Sequence, residues 1–172
     1  MLTRGAPTEK LRELQAKSDG HRGHPSRKAF RHELASALCW LQRGPNDAAL
    51  FDLTAFVIAA HHGKVRLSIR SLPTEDPPPD PERLFARGIW DGDALPGGEF
   101  SSIQLNGQTI ERLPLDLSYM RLGADEQRGP SWLARTTALR DAPELGPFRL
   151  ALLETLLRAA DARASTFHSE RR

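Results

Sequence analysis

The stretch VIAAHHGKVRL, Val57 to Leu67, places two adjacent histidines between an apolar run and a glycine that two cations follow. Apolar residues recur at helical spacing through Leu50, Leu53, Val57 and Ala60, which predicts a helix from Asp47 to about His62. Gly63 stands where the C-terminal cap of that helix belongs. We therefore expect His61 and His62 at a helix end, with both rings able to point inward.

Helical spacing also predicts the elements on either side of this stretch. From Ala29 to the breaker RGPND (residues 43–47), the pattern is carried by Phe30, Leu34, Leu38 and Leu41. A short helix is expected at 8–17, before the loop SDGHRGHPS, and two more at 131–140 and 146–164. The last of these has a stripe formed by Leu150, Leu153, Leu157 and Ala160.

Between the second and third major helices the pattern changes to that of strands. KVRLSIRSL (64–72) alternates apolar and polar residues, and SIQLNGQTIERL (102–113) has Asn106 and Gly107 where a tight hairpin turn needs positive φ angles. The intervening PTEDPPPDPE (73–82) suits neither a helix nor a central strand. The predicted fold is mainly α: one domain over 1–172 with a β-rich insert at about 65–125.

Composition limits the cellular compartments and the kinds of partner that are expected for this chain. The 172 residues carry a formal charge of +2, which permits nucleic acid without indicating it. One cysteine cannot form an internal disulfide, no apolar run reaches about 20 residues, and the N-terminus lacks a secretory signal. We expect a cytoplasmic protein with no membrane partner. Phosphate-binding glycine loops, paired CxxC motifs and GxSxG are absent from the sequence.

Three histidines are candidate metal ligands. His61 and His62 end one predicted helix, and His32 shares a face of another with small residues. Neutral imidazole is a common ligand of Mn, Fe, Co, Ni and Zn. The alternatives are a hydrogen-bonded pair at a helix end and, for His32, an exposed surface position.

Asp161 continues the apolar stripe of the last helix, so a carboxylate is expected on an inward face. A buried carboxylate needs a compensating cation, which could be Arg158, Arg163 or a metal ion. Lys64 and Arg66 could form a cationic rim beside the histidines, or they could simply be solvated.

Six segments in order resemble the HD nuclease domain of the CRISPR-associated type I interference helicase-nuclease. They are FRHE (30–33), AAHHGKVRLSIRSLP (59–73), FARGIWDGDALP (85–96), LDLSYMRLG (115–123), GPSWLART (129–136) and GPFRLALLETLLRAADARAS (146–165). The resemblance covers essentially the whole chain. It is closest to the subtype in which a β insert precedes the last ligand helix.

The resemblance implies an HD-domain-like helical bundle and a metal-dependent endonuclease acting on single-stranded DNA in antiviral defence. His32, His61 and His62 correspond to ligands of one divalent transition metal ion (Mn, Ni, Co or Fe), and Asp161 to a ligand of a second. His61, His62 and Asp161 would be catalytic, with Lys64 and Arg66 near the nucleic acid. The implied partners are a CRISPR helicase domain and a guide-RNA surveillance complex.

The family takes its name from a His-Asp dipeptide, and this sequence has none. We expect the chain to correspond to the C-terminal part of such a domain, with weak metal binding, little unaided DNA cleavage and apolar faces left exposed. One alternative is an inactive remnant or scaffold that docks a helicase or surveillance subunit. A nucleotide phosphohydrolase of the wider HD superfamily ranks last, since it needs the same dipeptide.

Overall fold

The computed structural model describes residue 27 and residues 30–44, 48–95, 102–105 and 108–169. This described part is helix-rich, with small antiparallel strand pairs between the second and third of the four α-helices that it contains. The helices are α1 (His32–Arg43), α2 (Ala48–Ala60), α3 (Trp132–Asp141) and α4 (Gly146–Ser169). The helix predicted at 8–17, with its loop, lies outside the described residues. None of the described helices is both long and apolar enough to cross a membrane.

The first two helices form an antiparallel pair that supplies much of the core. Leu34, Leu38 and Leu41 of α1 are buried, as their spacing predicts. In α2 the buried side chains are Ala55, Phe56, Ala59 and Ala60. Ala60 belongs to the predicted stripe, and Leu53 and Val57 of that stripe are half-buried. The prediction that Leu50 belongs to the buried stripe is wrong, because its side chain is exposed.

The first helix ends at Arg43, as the sequence predicts, whereas the second ends at Ala60, two residues before the predicted end at His62. The N–H of Gly44 donates to the Trp40 carbonyl, which closes the last turn of α1. At the end of α2, Gly63 has φ +69° and donates to the Ala60 carbonyl, so the glycine cap is confirmed. His61 and His62 therefore lie in the turn directly after the helix.

The strand predicted over 64–72 is wrong. Val65 and Ile69 are buried, whereas Leu67, on the same predicted face, is exposed. Within the described residues the segment has no strand partner. Side chains instead donate to two of its carbonyls: Nη2 of Arg87 to Lys64 O, and Nε1 of Trp132 to Arg66 O. The segment 64–72 is therefore irregular backbone, and side-chain hydrogen bonds hold it in place.

Short strand pairs occupy the insert from 85 to 130. The pairs are β1 (Phe85–Ala86) with β2 (Ile89–Trp90), β3 (Ala94–Leu95) with β6 (Leu113–Pro114), β4 (Ser102–Leu105) with β5 (Gln108–Glu111), and β7 (Ala124–Asp125) with β8 (Gly129–Pro130). A 3₁₀ helix, Leu117–Met120, lies between β6 and β7. In the predicted hairpin, Leu105 pairs with Gln108, which confirms the pairing, while its turn residues 106–107 lie outside the described residues.

Candidate metal centre

The antiparallel arrangement of α1 and α2 brings three histidines together. His32 is the first residue of α1, and His61 and His62 directly follow α2. One ligand nitrogen from each ring lies within 4.8 Å of the others. The structure thus groups the three predicted ligands, although they come from two segments separated in the sequence.

The ring geometry suits a shared ion. Nε2 of His62 lies 3.2 Å from Nε2 of His32. Two imidazole nitrogens at about 2.1 Å from one ion, separated by 90–110°, would be about 3.0–3.4 Å apart. The ring centroids of His61 and His62 are 4.1 Å apart, so the His61 ring lies beside the other two.

Hydrogen bonding already orients one of these rings. Nδ1 of His61 lies 2.6 Å from the Ile58 carbonyl oxygen, which can only accept, so Nδ1 carries the proton. The neutral ring then presents a lone pair at Nε2. This is the tautomer that a ligand facing the cluster through Nε2 requires.

The cluster is partly open to solvent. The His32 side chain is 57% exposed, and His61 and His62 are half-buried. Partial burial lowers the pKa of His32, while the nearby carboxylate of Glu33 opposes that shift. Because a metal binds the neutral imidazole, a lowered pKa favours the form of His32 that can be a ligand.

Asp161 approaches this group without joining it. The negative charge of Asp161 favours a higher pKa of His32. The oxygens of Asp161, however, are not among the clustered ligand atoms. The expectation that it sits on a core face is only partly met: Leu150 is buried, Leu157 is 36% exposed, and Asp161 itself is half-buried. Among the residues that the structure describes, neither Arg158 nor Arg163 pairs with it.

Two predicted cations occupy different environments. Lys64 is exposed beside the cluster. Arg66 forms a bidentate ion pair with Glu154 of α4, with nitrogen–oxygen distances of 2.9 and 2.6 Å, and this hydrogen bonding raises the pKa of Arg66. Arg66 therefore ties the segment after the histidines to α4, and its guanidinium is less available to a nucleic acid than that of a free arginine.

Three features near the cluster were not predicted from the sequence. They are the bidentate partner Glu154, the indole N–H of Trp132 bonded to Arg66 O, and the buried carboxylate of Glu33. Only Glu33 had a visible signal, because it is adjacent to His32 in the sequence. The other two lie at least 66 residues along the chain from the residue they contact.

The fold and the cluster together define a helix-rich domain with a candidate three-histidine metal site. No family model, no curated protein and no solved structure matches the chain.

Proposed function

We propose that His32, His61 and His62 bind one divalent transition metal ion and that the chain belongs to a metal-dependent phosphodiesterase of the HD nuclease type. The observation that carries this proposal is the convergence of three imidazole nitrogens within 4.8 Å from two separate helix ends. The ordered sequence resemblance adds the HD-domain-like bundle, single-stranded DNA as substrate and a role in CRISPR defence. The comparisons with known proteins add nothing to that part of the proposal.

The residues present fit such an ion. All three ligands are imidazoles, which suit Mn, Fe, Co, Ni or Zn. Three protein ligands leave coordination positions for water and a substrate oxygen. A bound ion of this kind supplies Lewis acidity toward a phosphoryl oxygen and lowers the pKa of water.

Other residues of the chain would position a phosphodiester. Lys64 is exposed beside the histidines and can contact a phosphate as a point charge. Arg66, paired with Glu154, ties the segment that carries Lys64 to α4. Asp161, close to His32 but outside the cluster, is the candidate ligand for a second ion.

Calorimetric titration with Mn²⁺, Co²⁺ and Ni²⁺, paired with cleavage of labelled single-stranded DNA, tests the proposal. We expect one weak metal site, its loss in His61→Ala, and slow DNA cleavage. Cys39→Ser is the control that removes the one thiol able to bind these metals, and it should leave the affinity unchanged. A wild-type chain with no metal affinity, or affinity unaltered by His61→Ala, would overturn the ligand assignment.

A second candidate, a docking scaffold for a helicase or surveillance subunit, is favoured by a different observation. Phe148, Leu152 and Leu156 of α4 are spaced by four residues, and each is more than half exposed. An apolar stripe of this kind is a common partner surface. Leu152→Lys should abolish binding to the helicase if the stripe docks it, and should leave metal binding intact.

A further inference from the structure

Glu33, in the first turn of α1, is a fully buried carboxylate. Its relative exposure is 0%, and within the described part of the chain neither of its oxygens has a hydrogen-bond partner. Such a group destabilises a fold, since a buried carboxylate loses its hydration without compensation. Leu34 and Ala35 beside it are equally buried, so an apolar side chain at this position would suit the core.

Among the described residues, the one ion-pair partner within 4 Å of this carboxylate is a candidate metal ligand. Oε2 of Glu33 lies 3.6 Å from Nδ1 of His32. The other ring nitrogen of His32, Nε2, lies 3.2 Å from Nε2 of His62. His32 thus has one nitrogen toward the cluster and the other toward Glu33.

We propose that Glu33 is a positioning residue, whose buried carboxylate holds the proton of His32 on Nδ1 and so presents the Nε2 lone pair to the cluster. This inference rests on the proposed function of the cluster. Closing the gap from 3.6 Å to a charge-assisted hydrogen bond requires a movement of less than about 1 Å. A carboxylate behind a histidine ligand is a common way to orient such a ring and increase its basicity.

The Nδ1 proton of His61 is held in a similar way, but the acceptor is a backbone carbonyl. There the Ile58 carbonyl accepts from Nδ1 at 2.6 Å. His32 is the first residue of its helix, whereas His61 directly follows the last turn of α2, which supplies the Ile58 carbonyl. A side-chain acceptor at residue 33 fills the role that the helix backbone fills at residue 58.

Nitrogen-15 spectra of the imidazole rings in metal-free protein test the inference at a pH where the rings are neutral. We expect His32 with a protonated Nδ1 and an unprotonated Nε2 in the wild type. Glu33→Leu should lose this preference, and Glu33→Gln should retain part of it, since its amide oxygen can still accept. A tautomer of His32 that is the same in the wild type and in Glu33→Leu overturns the inference, whether or not the chain binds metal.

Stability and affinity should move in opposite directions. Glu33→Leu should raise the melting temperature and weaken Co²⁺ binding about 10- to 100-fold, with a changed Co²⁺ absorption spectrum. Glu75→Gln is the matched control, because Glu75 is also a buried carboxylate but accepts from the Gly88 N–H. Strong destabilisation by Glu33→Leu would show a structural ion pair and contradict the positioning role. If the wild type binds no metal, the proposed function fails while the tautomer still decides the role of Glu33.

Discussion

Replacing Trp132 with Phe should destabilise the fold and weaken metal binding together. The Trp132 ring is 1% exposed, and its Nε1 donates to Arg66 O at 2.7 Å, four residues after His62. Losing the donor leaves a partly buried carbonyl unsatisfied, which costs about 1–3 kcal/mol. The smaller ring leaves a cavity of about 40 Å³, or about 1 kcal/mol at 24 cal/mol per Å³. The expected loss in the free energy of unfolding is therefore about 2–4 kcal/mol.

Urea denaturation and Co²⁺ titration of the same samples measure both effects. Trp40→Phe is the matched control, because its Nε1 donates to Phe51 O at 3.0 Å where α1 ends and α2 begins, at the far end of the helix pair from the histidines. Both variants should lose stability, whereas only Trp132→Phe should bind Co²⁺ more weakly. Equal affinities in the two variants would refute the view that Trp132 holds the segment after His62 in place.

Three further predictions concern the cap, the neighbouring carboxylate and alkaline pH. Gly63→Ala and Gly123→Ala each place a side chain at positive φ and should each lose about 1 kcal/mol of unfolding free energy, but only Gly63→Ala should also weaken metal binding. Asp161→Asn should leave the first metal equivalent nearly unchanged by calorimetry, and a large loss would place Asp161 in the three-histidine site. Burial raises the pKa of Tyr119, the one tyrosine of the chain, so stability present below pH 10 should fall as the pH rises above it. Absorbance of tyrosinate in native and urea-unfolded protein measures that difference.

Helices and their ends could be predicted from the sequence because their signals are local. Leu34, Leu38 and Leu41 recur at the helical period, and Gly44 and Gly63 follow the last turns of α1 and α2. The histidine cluster also follows from local signals. Once two consecutive helices are joined by a short connection, the start of one lies beside the end of the other.

Contacts between segments that are distant in the sequence could not be predicted from local signals. The alternation around Leu67 resembles a strand, but backbone pairing there is replaced by hydrogen bonds from Arg87 and Trp132. Helical spacing placed Asp161 on a buried face, yet among the described residues of α4 only Leu150 and Glu154 are buried, and Asp161 is half-buried. Periodicity shows which residues share a face, whereas the extent of the covering surface depends on the rest of the fold.

The position of the histidines at the open end of the α1–α2 pair has a consequence for chain entropy. His32 and His61 are 29 residues apart in the sequence. An ion held by both would close a loop of about 30 residues, and a covalent crosslink of that span restricts the unfolded chain by about 3.5 kcal/mol. The ion would then act as a reversible crosslink between the two helices. Removing it with a chelator should therefore lead to unfolding at the His32 end of the pair before the end where Trp40 contacts Phe51.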